Sequence, residues 1–265
     1  MSYFSFLGLF LVLPIATLLW LARRDRQRGR PRPAQLASYP AWLALLLHVV
    51  IAFVYTTPWD NYLVATGVWW YDPNLVTGVT LGWVPIEEYT FFVLQPILTG
   101  LWLLFWMRRW PGCQPAVEWQ KGRLRAVSVA VVAAGWLIAL AVLVVGWRPG
   151  TYLALQLGWA LPPILLQLAV GADILWRYRR LVLTGILPPT LYLAAIDTLA
   201  ISSGTWTIDP EQSLHLLLGG VLPVEEFLFF LVTNMLLVFG MTLILARETK
   251  SRIAAHRIPA WGIGD

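Results

Sequence analysis

Charge is what this chain mostly does without: Asp, Glu, Lys and Arg make up 12% of its 265 residues, about half the share usual in a soluble domain. Lysine is confined to Lys121 and Lys250, both outside the apolar runs. That excludes a seven-span retinal protein, which needs a Schiff-base lysine within the membrane. The single cysteine, Cys113, rules out an internal disulfide and leaves no thiol cluster for zinc or an iron–sulfur centre. Glycine-rich nucleotide motifs, the strand–turn–helix context that would hold one, and a Ser-His-Asp set with a nucleophile elbow are all missing.

Apolar sequence fills the space. Hydrophobic residues account for 58% of the chain, the mean hydropathy is +0.68, and several runs approach the roughly 20 residues that cross a bilayer. Seven spans are expected, at 3–22, 40–57, 83–106, 126–147, 151–172, 181–197 and 221–246. Four stretches hold 18 of the 19 basic residues: Arg23 to Arg32, Arg108 to Arg125, Arg177 to Arg180, and Arg247 to Arg257. They follow spans one, three, five and seven, and Arg148 alone lies on the other side. The positive-inside rule then places the N-terminus outside the cytoplasm and the C-terminus within it. A pI near 9.6 therefore reflects membrane topology and lipid contact; no nucleic-acid partner is expected. The first 22 residues lack a basic leading region, so they read as an uncleaved helix rather than a signal peptide.

A segment of the chain occurs twice. Asp60 leads through Gly67, Trp69 and Asp72-Pro73 to Pro85, Glu87-Glu88 and Phe91-Phe92. Asp197 leads through Gly204, Trp206 and Asp209-Pro210 to Pro223, Glu225-Glu226 and Phe229-Phe230. Tyr3 to Pro14 and Tyr152 to Pro163 span the same interval, so the match extends into the leading helices. The expected architecture is all-α: residues 1–107 form one three-helix repeat and 150–250 a second of the same orientation. Residues 108–149 supply a linker and connector helix, and 251–265 a cytoplasmic tail.

Within this frame the carboxyl groups stand out, because hydrocarbon tolerates few ionisable side chains without a reason. Pro85 and Pro223 suit a helix start, and one acidic residue per helix would be explained by the macrodipole. Two adjacent glutamates followed by Phe-Phe are not. Positions 87 and 88, like 225 and 226, point about 100° apart, so at most one of each pair faces a given point squarely. Desolvation and a like-charged neighbour favour a protonated carboxyl, which can act as a general acid. Aromatic faces nearby stabilise a cation. Acid plus aromatics in an apolar hollow is equipment for protonating an olefin. Asp60 and Asp197, at the expected span ends, are either helix caps or partners of the glutamates. Asp72-Pro73 and Asp209-Pro210 read as turn initiators. His48 and His215 lack repeat equivalents and are read as structural. Most of the 16 tryptophans are interfacial anchors, while Trp69 and Trp206 are candidate cavity linings.

The doubled Asp…Gly-x-Trp…Asp-Pro…Pro-x-Glu-Glu-x-x-Phe-Phe pattern resembles the integral-membrane lycopene cyclases, in the fused form of the heterodimeric bacterial type, related to archaeal cyclases and to the cyclase domain of fungal bifunctional enzymes. The resemblance implies non-redox acid–base cyclisation of the ψ-ends of lycopene to β-ionone rings, giving γ- and β-carotene. It implies catalytic roles for Glu87, Glu88, Glu225, Glu226, Asp60 and Asp197, and substrate contacts for Trp69, Phe91, Phe92, Trp206, Phe229 and Phe230. No cofactor or metal is expected. Implied partners are lycopene and other carotenoids, membrane lipid, and other membrane enzymes of carotenoid synthesis, in the cytoplasmic membrane of a prokaryote. Which glutamate is acid and which group is base stays open, as do C50 substrates and ε or γ rings. A parallel-repeat solute transporter and a non-catalytic carotenoid-binding protein are the alternatives of other classes.

Overall fold

The computed structural model describes residues 1–110 and 121–257; Cys113, part of the linker and the end of the tail lie outside them. Seven of its helices are long and apolar enough to cross a membrane. They are α1 (Tyr3–Gln27), α2 (Ala41–Ala65), α3 (Ile86–Met107), α4 (Lys121–Val145), α5 (Thr151–Arg177), α6 (Arg179–Ser202) and α7 (Val224–Leu245). A further helix, α8 (Arg247–Arg257), covers residues expected as a loop and tail. Helices α3, α6 and α7 form the centre. Helix α4 lies at the margin against α5: only 6% of its apolar window is buried, against 67% for α7.

Several helices outrun their expected ends. Helix α1 carries Arg23, Arg24 and Arg26 on its last turns, where a loop was expected. Long arginine stems let a helix continue past the apolar layer while the charges reach polar surroundings. Helices α2 and α6 continue beyond residues 57 and 197, so Asp60 and Asp197 sit inside them as buried residues. The reading of these two aspartates as helix caps is thereby corrected. Both helices stop by the same device. Gly67 and Gly204 take left-handed backbone, φ +69° and +70°. The amides of the following residues, Val68 and Thr205, reach back to Leu63 and Ala200 at 2.9 and 3.0 Å, as in a Schellman ending.

Strand structure, unforeseen from the sequence, follows each glycine. Strand β1 (Trp69–Tyr71) pairs antiparallel with β4 (Trp206–Ile208), Trp70 opposite Thr207 and Tyr71 opposite Trp206. The two repeated loops are thus hydrogen-bonded to each other. Short hairpins β2–β3 (Thr80–Leu81 and Val84–Pro85) and β5–β6 (Leu217–Leu218 and Leu222–Pro223) feed directly into α3 and α7. Pro85 and Pro223 therefore stand at the N-cap with extended backbone, one residue before the first turn in which they were expected.

Apolar packing fills both ends of the bundle. One cluster includes Leu103, Met107, Tyr178, Leu181 and Met241; the other includes Tyr3, Leu11, Phe92, Leu193 and Phe230 on the strand side. On α3 and α7, between these groups, Asn234 accepts from Gln95 Nε2 at 2.8 Å and Thr99 Oγ1 at 2.7 Å, and donates to Thr190 Oγ1 at 3.0 Å. This buried polar set ties α3, α6 and α7 together where each backbone group must already be satisfied internally.

Candidate active site

A pocket on the strand side of the bundle gathers four carboxyl groups from four helices: Asp60 of α2, Glu88 of α3, Asp197 of α6 and Glu226 of α7. No lysine or arginine lines it. Glu88 accepts hydrogen bonds from the hydroxyls of Tyr3, at 2.6 Å, and Tyr71, at 3.1 Å. Glu226 accepts one from Tyr152 at 2.5 Å. Burial, and after it the neighbouring Asp60 and Glu88 carboxyls, raise the Tyr71 phenol well above its usual range, so it stays a donor. Both oxygens of Asp60 and Oδ2 of Asp197 are buried without a hydrogen-bond partner.

Aromatic rings complete the walls, and they cross between the two halves of the chain. Tyr3 packs on Trp206 with ring centroids 5.0 Å apart, and Tyr152 on Trp69 at 5.3 Å. Phe91 meets Phe230 at 6.4 Å, and Trp59 stacks on Phe229 at 5.9 Å. Trp69, Trp206, Phe91, Phe92, Phe229 and Phe230 all line the pocket. The free volume is about 50 Å³, a third of the roughly 150 Å³ that admits a benzene-sized guest. As folded, the hollow is smaller than a ring-sized guest requires.

The adjacent glutamates do not share this place. Glu87 turns to the preceding loop, where its Oε1 accepts from the Thr77 amide at 2.7 Å; Glu225 does the same with the Leu214 amide at 2.7 Å. Neither lines the pocket. The fourfold set expected from sequence thus divides into an inward pair and a loop-holding pair, because consecutive helix positions diverge by about 100°. Replacing Glu87 or Glu225 by Ala is expected to cost about 1–3 kcal/mol, the penalty for leaving a buried hydrogen-bond donor unpaired. Faster proteolysis of the 72–84 or 209–222 loop in detergent would report it.

Other expected sites fall elsewhere. Asp72 Oδ1 accepts from the Asn74 amide at 2.8 Å and Asp209 Oδ1 from the Glu211 amide at 3.0 Å, making the turns foreseen for them. His48 bonds the Ala44 carbonyl through Nδ1 at 2.7 Å and lies outside the pocket. Tyr3, Tyr71, Tyr152 and Trp59 were not foreseen as site residues. The matched Tyr3–Pro14 and Tyr152–Pro163 intervals carried the signal for two of them. Among the described residues no group of three or more His, Cys, Asp or Glu side chains is placed to hold a metal ion.

Fold and site together define a polytopic helical membrane protein whose buried chemistry is carboxyl groups, phenols and aromatic faces. Comparison with known sequences makes the class specific. The chain belongs to the lycopene cyclase family, whose sequence model matches residues 2–106 and 149–244. It is 38% identical over 252 residues to a lycopene beta-cyclase of Halobacterium salinarum, covering 93% of this chain and 98% of the relative. It is also similar to bifunctional lycopene cyclase/phytoene synthases of fungi. Identity is 38% over 200 residues in Podospora anserina and 40% over 220 in Colletotrichum graminicola, spanning 33% and 36% of those longer proteins. No solved structure matches the chain.

Proposed function

We propose that this chain is a lycopene β-cyclase, converting the ψ-end groups of lycopene to β-ionone rings by proton-initiated, non-redox chemistry. The observation that carries the reading is the inward pair Glu88 and Glu226, each held by a tyrosine hydroxyl in an aromatic pocket without a cation. A carboxylate left there without a counter-ion costs several kcal/mol, so a neutral carboxylic acid able to release its proton is the economical occupant. One glutamate protonates the terminal double bond of the polyene. The resulting tertiary cation is attacked by the next double bond, one carbon–carbon bond closes the six-membered ring, and a ring proton leaves to restore an olefin. The proton gained equals the proton lost, so no oxidant or reductant enters the balance. The faces of Trp59, Trp69, Trp206 and the four phenylalanines stabilise the cation by about 0.5–2 kcal/mol each. The opposing carboxyl group takes the departing proton as it passes its own back to the ionised donor, which restores the acid form of both, with Asp60 and Asp197 as supporting acids.

The same reading includes the membrane arrangement. Residues 1–107 and 150–250 are parallel repeats related by an axis along the membrane normal, with α4 as connector, the N-terminus out and the C-terminus in. The arginine distribution supports this orientation, and the cytoplasmic membrane is the proposed location. Expression in a lycopene-accumulating bacterial host, with chromatography of the pigments, tests the activity. Conversion of lycopene to γ- and β-carotene is expected; unchanged lycopene beside well-inserted protein would refute it, and ε- or γ-ring products would reassign the final base.

A further inference from the structure

Two apolar grooves run along the bundle outside the acid pocket, and corresponding residues build them. One lies between α2 and α5 and holds about 300 Å³; the other lies between α1 and α6 and holds about 520 Å³. Pro163 and Leu166 wall the first where Pro14 and Thr17 wall the second, displaced by the same interval that separates Tyr3 from Tyr152. Each is bridged alike: Tyr55 donates to the Trp159 carbonyl at 2.9 Å, and Tyr192 to the Phe10 carbonyl at 2.8 Å.

The grooves differ in where they lead. The α2/α5 groove shares Phe91, Phe92 and Phe229 with the acid pocket, whereas the larger α1/α6 groove shares no lining residue with it. At its outer side Ile51 and Leu166 are exposed, which in a bilayer means open to acyl chains. The acid pocket holds only about 50 Å³, so a long substrate needs contiguous apolar space beyond it, and dispersion and desolvation favour the groove that continues into the pocket.

We propose that the α2/α5 groove binds the polyene chain behind the reacting end group and is the lateral route by which a carotenoid enters from lipid, while the α1/α6 groove is blind. The occupant rests on the cyclase reading; the asymmetry between the grooves does not. Phe91, Phe92 and Phe229 then stand at the junction where the ring-forming carbons fold over the protonated tip.

The test fills each groove in turn. Ala52→Trp, in the α2/α5 wall, is expected to lower lycopene cyclisation at least about tenfold, the cost of misplacing a reacting end; Thr17→Trp in the blind groove should leave it within about twofold. To separate blockage from misfolding, Leu166→Cys and Thr17→Cys are made in a Cys113→Ser chain and modified after purification with a bulky lipid-soluble maleimide. Each unmodified protein is its own control. Turnover should fall on modification of Leu166→Cys only, and lycopene co-purifying with a Glu88→Gln version should fall with it. Equal responses at the two positions, or loss confined to Thr17→Cys, would overturn the proposal. Failure of the unmodified protein to cyclise lycopene would instead refute the cyclase reading, and lycopene retention would still decide between the grooves.

Discussion

Glu88→Gln and Glu226→Gln are each expected to reduce ring formation by at least about 100-fold, the range in which a positioned general acid or base acts, while protein yield and thermal midpoint stay near those of the parent. Glutamine keeps the volume of the side chain and an oxygen that Tyr3 or Tyr152 can still approach. It carries no transferable proton, so the loss falls on chemistry rather than packing. The pocket offers no lysine, arginine or histidine to replace the missing acid. Glu87→Gln and Glu225→Gln supply the contrast. Their carbonyl oxygens can still accept from Thr77 and Leu214, so activity should drop only slightly. Pigment profiles of the four variants in one lycopene-producing host decide the matter. Full β-carotene production by both inward variants would remove the proposed donor. Unequal losses would tell acid from base: without the acid, lycopene persists; without the base, cations that have closed their ring leave by other routes and give altered products.

Arg109→Ala should destabilise the fold by about 3 kcal/mol, the lower end of what breaking a buried ion pair costs. Asp25, at the end of α1, is buried, and Arg109 just beyond α3 clasps it through two parallel bonds, 2.8 Å from Nη1 to Oδ2 and 2.9 Å from Nη2 to Oδ1. The guanidinium also lies 3.6 Å over the Phe105 ring. Arg30 approaches Asp25 only to 3.9 Å from an exposed position, and cannot replace that fork. The low estimate reflects this residual cation. Thermal unfolding in detergent would show the loss, and Asp25→Leu combined with Arg109→Leu should recover much of it, since the cost lies in stranding the carboxylate. If the single and double variants unfold alike, the pair contributes packing only.

Much of this molecule is visible before any coordinates. Apolar runs of bilayer length appear as seven helices, and the repeated tryptophans and phenylalanines line one pocket. The Asp-Pro turns form where the dipeptides stand. These properties are carried by neighbouring residues, and hydropathy or turn chemistry reads them directly. Helix ends are less legible. A hydropathy scan stops α2 and α6 near their aspartates, yet both helices continue because those carboxyl groups are covered by protein rather than lipid.

The division of labour between Glu87 and Glu88, or between Glu225 and Glu226, is invisible in a string where each pair is two identical letters. Which member faces inward depends on Tyr3 reaching Glu88 across 85 positions and Tyr152 reaching Glu226 across 74. The union of β1 with β4 joins residues still farther apart. Composition and spacing settle local matters: a membrane-spanning helical chain, a doubled acidic motif, and aromatic neighbours one turn away. Long-range packing chooses the inward glutamates, supplies their phenols and gives one groove lining residues in common with the pocket that its counterpart lacks, because those outcomes are contact energies between segments that no local pattern encodes.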